Sequence, residues 1–385
     1  MKILEVIPRF NPILGGGVDV VYNVSKQLCL FGHDVTIITS DVSFDADYSR
    51  TIEELGVNVV PFKSLFNMSL FIPTPAMKVW LNKHIKEYDI VHLNGTRSYQ
   101  NNLVLKYARK YNIPYVIQAH GSLEHVGGKK FIKSMYDLIW GKRLVTSSTG
   151  FITLSNSEKQ VHMDSGISEE KISIVPNGVD LSKFIELPEY GSFRMKYGIP
   201  RTEKVILYLG RLHITKGIDL LISAFSLLSS SVNHARLVIV GPDGGLQNVL
   251  QSQVQNLNLS DKVLFTGAVS AEVKLAAFVD SDVFVTPRFY GFPITFAESM
   301  ACGLPIITTN DGDYLDFIDG NVGYSTVYSP EDISCAIKKI LLDNDLSNTM
   351  RKNCRNQSEQ TYNWKCLVSL LLCEYEKYIS IYNSS

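Results

Sequence analysis

Three short segments hold the residue types from which chemistry could be built. Leu209-Gly210-Arg211-Leu212-His213-Ile214-Thr215-Lys216-Gly217 runs from a strand-like stretch through a loop into the helical pattern Ile218–Leu228. A guanidinium fork and an ammonium point charge in such a loop could clamp a diphosphate. Charged loop residues are usually just solvated, and the strand–loop–helix setting is what favours a binding role for Arg211 and Lys216. Glu298 lies in Ile294-Thr295-Phe296-Ala297-Glu298-Ser299-Met300-Ala301, otherwise small and apolar. A carboxylate is expensive there without hydrogen-bond partners. A vicinal diol would suit it, and so would an ion pair with a base that the sequence does not name. Gly15-Gly16-Gly17 precedes a helical run from Val18 to Phe31, where backbone N–H groups could approach an anion or a sugar. The spacing is not G-x-G-x-x-G, so a dinucleotide fingerprint is unsupported, and a plain flexible loop explains the glycines equally well.

Other chemistries lack their residues. The six cysteines form no C-x-x-C pair and the eight histidines no metal-site spacing. Asp45/Asp47, Asp311/Asp313 and Asp343/Asp345 read as turn acids rather than a metal-binding D-x-D. Lys+Arg (37) balances Asp+Glu (38), leaving a formal charge of -1, so nucleic acid is not an expected partner. The opening Met1-Lys2-Ile3-Leu4-Glu5-Val6 is interrupted by Glu5 and reads as a strand rather than a secretory signal. Leu367–Cys373 is too short to cross a bilayer. A cytoplasmic protein is expected.

The elements that must position these loops follow from an alternation of β-branched runs with amphipathic helical stretches, the pattern of parallel sheets with crossover helices. The class is α/β. Strands are predicted at Ile3–Pro8, Val35–Thr39, Val57–Phe62, Ile90–Asn94, Tyr115–Ala119, Phe151–Leu154 and Ile172–Val175, and again at Val205–Leu209, Leu237–Val240, Val263–Thr266, Val283–Thr286 and Pro305–Thr308. Two domains result, 1–185 and 192–362, with a hinge in the Pro- and Gly-punctuated stretch Asp180–Gly191. Asn344–Gln360 reads as a polar segment, and 363–385 as a final helix that could return to the first domain. Ligands of doubly wound sheets bind beyond the carboxyl ends of the strands, where these loops fall.

In that setting Gly210-Arg211 through Lys216-Gly217, Val175-Pro176-Asn177-Gly178-Val179-Asp180 and Glu298-Ser299-Met300-Ala301-Cys302-Gly303-Leu304-Pro305 resemble the retaining GT-B glycosyltransferases of family 4 (group 1). Gly15-Gly16-Gly17, Gly32-His33-Asp34-Val35-Thr36 and Asp89-Ile90-Val91-His92 follow the family's order, so the likeness spans nearly the whole chain. It implies two Rossmann-like domains facing across a cleft, the first on the acceptor side and the second holding a nucleotide-sugar donor. It implies that Arg211 and Lys216 bind the donor diphosphate and stabilise the departing charge. Glu298 would hold the ribose, and Val269, in Thr266-Gly267-Ala268-Val269, would read the base through the backbone. Gly16, Gly17, Gly291, Phe292, Pro293 and Ile294 complete the implied donor-binding set. His120 matches a histidine near the transferred sugar and joins Arg211 and Lys216 as the implied catalytic set; read without the resemblance, it is a strand-end histidine with a structural hydrogen bond. Asn94, Arg97 and His120, with the loop His120–His125, are the acceptor-side candidates.

The family's first glutamate, eight residues before Glu298, is replaced by Tyr290, so its sugar contact is assigned to no residue here. Retention requires no catalytic carboxylate pair, since the leaving phosphate takes the acceptor proton. No metal or cofactor is expected beyond the nucleotide-sugar co-substrate. The acceptor would be a glycan, a lipid-linked sugar or a small molecule. A nucleotide-sugar-binding scaffold without turnover and a sugar-nucleotide 2-epimerase are the rival readings. Within 128–143, five basic residues flank Phe131, Met135, Ile139 and Trp140 at near-helical spacing. Such a helix could rest on the inner face of a membrane, although an apolar stripe of this kind is more often a core face.

Overall fold

A computed structural model of the chain describes residues 1–68, 71–120, 136–311, 315 and 317–384. The chain divides into two units, Met1–Asn177 with Trp364–Ser385, and Gly178–Asn363.

Unit 1 is built on a parallel sheet of β1 (Lys2–Val6), β2 (Asp34–Ser40), β3 (Asn58–Phe62), β4 (Ile90–Asn94), β5 (Tyr115–Gln118), β6 (Gly150–Thr153) and β7 (Ile172–Ile174). Its order is β3-β2-β1-β4-β5-β6-β7, and Ile3 pairs with both Val35 and Ile90. Strands covered on both faces are mostly apolar, and Ile3, Leu4, Val6, Ile90, Val91 and Leu93 are buried, with Glu5, His92 and Asn94 as buried polar exceptions. The order reverses between β1 and β4, so a crevice is expected beyond Val6 and Asn94.

Unit 2 repeats the plan with β8 (Lys204–Leu209), β9 (Ala235–Val240), β10 (Val263–Gly267), β11 (Val283–Thr286), β12 (Ile306–Thr309) and β13 (Gly323–Thr326), in the order β10-β9-β8-β11-β12-β13. Its reversal lies between β8 and β11. The loops beyond these two strands are the segments with Arg211 and Lys216 and with Gly291–Ile294. Helix Ile218–Ser229 closes one face by burying Ile218, Leu221, Ile222, Phe225 and Leu228, one side of a 3.6-residue period.

The C-terminal helix Trp364–Ser384 belongs to unit 1 and buries Trp364, Leu367, Val368, Leu371, Tyr375 and Tyr378. The Tyr378 hydroxyl lies 2.7 Å from Ser173 Oγ and donates toward the carbonyls of Lys171 (3.0 Å) and Phe151 (3.3 Å). Gly150 permits this docking, because a Cβ there would lie 2.3 Å from the Tyr378 ring.

Four features differ from the sequence reading. The unit boundary falls at Asn177/Gly178 rather than at 185. Val179 donates to the Tyr362 carbonyl at 2.9 Å, and Gly191 donates to Asp280 Oδ1 at 2.6 Å, so the expected hinge Asp180–Gly191 is tied at both ends within unit 2. Asn344–Gln360, read as a polar segment, is a helix. Asp343 caps it on Leu346 N–H, and its buried stripe of Met350, Cys354 and Ser358 is too narrow to show as an apolar period. Strand β13 was not expected, because Gly-Tyr-Ser-Thr has no apolar run; it pairs with β12 at the sheet edge.

Candidate functional site

The first part of the site grows from the end of β8. His213 opens a single turn, Ile214–Lys216, accepting from the Thr215 N–H at 3.3 Å. Gly217 then turns the chain into the helix at φ +68, with no room for a side chain: a Cβ would lie 2.9 Å from the Tyr328 hydroxyl and 3.1 Å from Pro287 Cβ. Arg211 is exposed and Lys216 half-buried. Burial first, and the charge of Arg211 second, lower the pKa of the Lys216 ammonium. Neither side chain has a hydrogen bond or an ion pair among the described residues. Two adjacent cations with no acidic partner among the described residues, at the switch point of a doubly wound sheet, have the chemistry to take an anion.

The loop after β9, Gly241-Pro242-Asp243-Gly244-Gly245, completes this corner and was missed by sequence reasoning. A Cβ on Gly241 would sit 2.0 Å from the Gly210 carbonyl oxygen, and one on Gly244 would sit 3.0 Å from Arg211 Cγ. Only glycine lets the two loops meet. Asp243 Oδ1 accepts from the N–H groups of Gly245, Leu246 and Gln247 at 2.8, 2.9 and 3.1 Å. The signal available was the glycine run directly after a strand.

Glu298 has the ion-pair partner that the sequence left unnamed. Lys274 Nζ is 2.5 Å from Oε1, while Oε2 has no partner among the described residues and remains able to accept. Lys274 stands on helix Ala271–Val279, just after the half-buried Val269. Gly291 turns at φ +67, and Pro293 caps helix Ile294–Ala301. Phe292 is a core residue whose ring stacks on Tyr362 with centroids 4.8 Å apart, so its side chain is committed to the core. Asp311 is paired with Arg288. Asp45 and Asp343 are helix caps, and Asp313 lies outside the described residues.

In unit 1, His120 follows β5 with φ +49, a conformation rare outside glycine. Its Nε2 is 3.0 Å from Asn94 Oδ1, and Asn94 Nδ2 donates to Glu5 Oε2 at 2.7 Å. Glu5 Oε1 lies 3.2 Å from His92 Nδ1, which is 2.6 Å from the Tyr375 hydroxyl. The buried Arg97 is held by Asp137 through bonds of 2.9 and 2.7 Å, so it offers a ligand no uncompensated charge. Gly16 and Gly17 form the first turn of helix Gly16–Leu30, two residues before the expected start, and a Cβ at Gly17 would meet nothing within 4 Å.

Burial, with His92 adding to it, pushes the His120 pKa down to about 3. The folded value lies below the unfolded one near 6.5, so the contribution to stability is fully present above pH 6.5 and is lost as pH falls toward 3. Between pH 7 and 5 the loss of unfolding free energy should be shallower by about 1–2 kcal/mol in His120→Gln than in wild type, as read by chemical denaturation.

Of the basic segment 128–143, residues 128–135 lie outside the described residues, as does 121–125 of the acceptor-side loop. In the remainder, Ile139 and Trp140 are 48% and 38% exposed, so they do not form the core face favoured from sequence. No helix among the described residues is long and apolar enough to cross a membrane.

The sequence profile of glycosyl transferases group 1 matches residues 191–357, and that of glycosyltransferase family 4 matches residues 14–183. The chain belongs to the group 1 glycosyltransferases. This group 1 glycosyltransferase is 23% identical to the GDP-mannose:cellobiosyl-diphosphopolyprenol alpha-mannosyltransferase of Xanthomonas oryzae, with 99% of this chain and 98% of that protein covered. It is 27% identical to the alpha-monoglucosyldiacylglycerol synthase of Streptococcus pneumoniae, covering 89% and 78%. Its fold matches the crystal structure of Anabaena HepE in complex with UDP and glucose, with a TM-score of 0.78 at 18% identity over 98% of this chain and 100% of that one. The two doubly wound units are thus the two Rossmann-like domains of a GT-B glycosyltransferase.

Proposed function

We propose that unit 2 binds a nucleoside-diphosphate sugar and that the enzyme transfers the sugar to a hydroxyl acceptor with retention of anomeric configuration. The carrying observation is the Arg211–Lys216 pair, which has no anion among the described residues and stands where a doubly wound sheet receives its ligand. On this reading the two cations take the diphosphate and stabilise the charge it gains as the sugar leaves, without a metal. The open oxygen of Glu298 accepts from the ribose hydroxyls, with Lys274 paired to the other oxygen. Main-chain groups near Val269 and Gly291–Ile294 line the nucleotide. In unit 1, the cluster of Asn94 and His120 offers hydrogen bonds to a sugar hydroxyl.

Both relatives are named for alpha-linked products and for lipid acceptors, one a diphosphopolyprenol and one a diacylglycerol. They support retention, given the alpha linkage of the common nucleotide-sugar donors, and a lipid-linked acceptor that the enzyme meets at a membrane surface. The test is incubation with UDP- and GDP-sugars, with the released sugar followed by proton NMR. Slow hydrolysis that first yields the alpha anomer is expected. A beta anomer would reject retention, and nucleotide binding without sugar release from any donor would reduce the protein to a binding scaffold.

A further inference from the structure

Glu5 lies in β1, at the centre of the unit 1 sheet, and is 1% exposed. No Lys or Arg pairs with it among the described residues. Asn94 Nδ2 donates to Glu5 Oε2 at 2.7 Å, while Oε1, 3.2 Å from His92 Nδ1, makes no hydrogen bond among the described residues. Asn94 therefore turns its NH₂ toward Glu5. Its carbonyl oxygen then faces His120 and can only accept, which places the hydrogen on His120 Nε2. His120 Nδ1 is left as a lone-pair acceptor with no hydrogen bond among the described residues. The backbone of His120, at φ +49, is of the kind that persists only where surrounding contacts determine it.

We propose that Glu5 is a positioning residue that acts through Asn94 to lock His120 in its Nε2–H tautomer, so that Nδ1 accepts a hydrogen bond from a hydroxyl of the sugar ligand. The ligand half of this proposal rests on the reading of unit 1 given above; the tautomer half does not. The second oxygen of the same carboxylate faces His92, whose Nδ1 meets the Tyr375 hydroxyl of the C-terminal helix. The returning helix thereby closes the far end of the chain of contacts. The depressed pKa of His120 is consistent with this role, since only a neutral imidazole can accept.

The polarity of the chain is what the test reads. A protonated Glu5 would donate to the Asn94 carbonyl, turn the Asn94 NH₂ toward His120 Nε2 and force the opposite tautomer. In the ¹⁵N-labelled full-length protein without nucleotide, long-range proton–nitrogen correlation should show His120, assigned by its loss in His120→Gln, as a single Nε2–H tautomer at pH 7. In Glu5→Gln the amide can present either end to Asn94, so a mixture of tautomers is expected. There, kcat should fall about 2- to 10-fold, the worth of one hydrogen bond to the ligand, while nucleoside diphosphate affinity is unchanged. An Nδ1–H tautomer in the wild type, or an unchanged single tautomer in Glu5→Gln, would overturn the proposal. Because the tautomer is read without ligand, its result is independent of whether unit 2 binds a nucleotide.

Discussion

Lys216→Ala should lower kcat for sugar transfer about 10²–10³-fold, the usual effect of losing one preorganised group that stabilises departing charge. The same substitution should leave the thermal midpoint equal or raise it. Lys216 is half-buried beside Arg211, and burial and that neighbour both disfavour its charged form. Without an anion the ammonium is a burden on the fold, and function is the reason to keep it. Because its proton affinity is lowered, the lysine sheds its charge earlier than usual as pH rises, so donor affinity should decline on the alkaline side before ordinary lysines titrate. Initial rates at saturating donor, together with thermal denaturation of both proteins, check the pair of expectations. An unchanged kcat, or a loss of turnover that merely follows a collapsed midpoint, would contradict the assignment.

Removal of residues 364–385 should prevent unit 1 from folding. Six side chains of the returning helix are buried, and at about 1.5–3 kcal/mol each their burial is comparable with the whole stability of a domain, about 5–15 kcal/mol. Tyr378→Ala is the graded version. It vacates the space over Gly150 and abandons the carbonyls of Phe151 and Lys171, and a loss of about 3–5 kcal/mol is expected from the cavity. Soluble yield of the truncated chain and denaturant unfolding of Tyr378→Ala are the readouts. A truncated protein that unfolds cooperatively at the wild-type midpoint would show that the helix is dispensable.

Much of the fold was legible because it rests on local pattern. The runs at Ile90–Asn94 and Val283–Thr286 are strands over those same residues, each carried by buried apolar side chains, Ile90, Val91 and Leu93 in one and Val283, Phe284 and Val285 in the other. The Arg211 to Lys216 loop was legible for a related reason, because its place after a strand and before a helix is written in adjacent residues. What escaped depends on contacts distant in sequence. Lys274 is the partner of Glu298, yet nothing near either residue names the other. Glu5 read only as a polar interruption in an apolar start, and its meaning comes from Asn94, brought beside it by the pairing of β1 with β4. Gly241 is required by the Gly210 carbonyl of a neighbouring loop. The helix Asn344–Gln360 escaped because its buried stripe includes a serine and a cysteine.

The most direct measurement is calorimetric titration of nucleosides, nucleoside monophosphates and nucleoside diphosphates into the wild-type protein and Lys216→Ala. One nucleoside diphosphate should bind the wild type, its nucleoside should not, and Lys216→Ala should weaken the diphosphate at least about tenfold, the range of a lost charge-assisted contact. If no nucleoside diphosphate binds, or if both proteins bind it equally, the donor site at Arg211 and Lys216 is refuted.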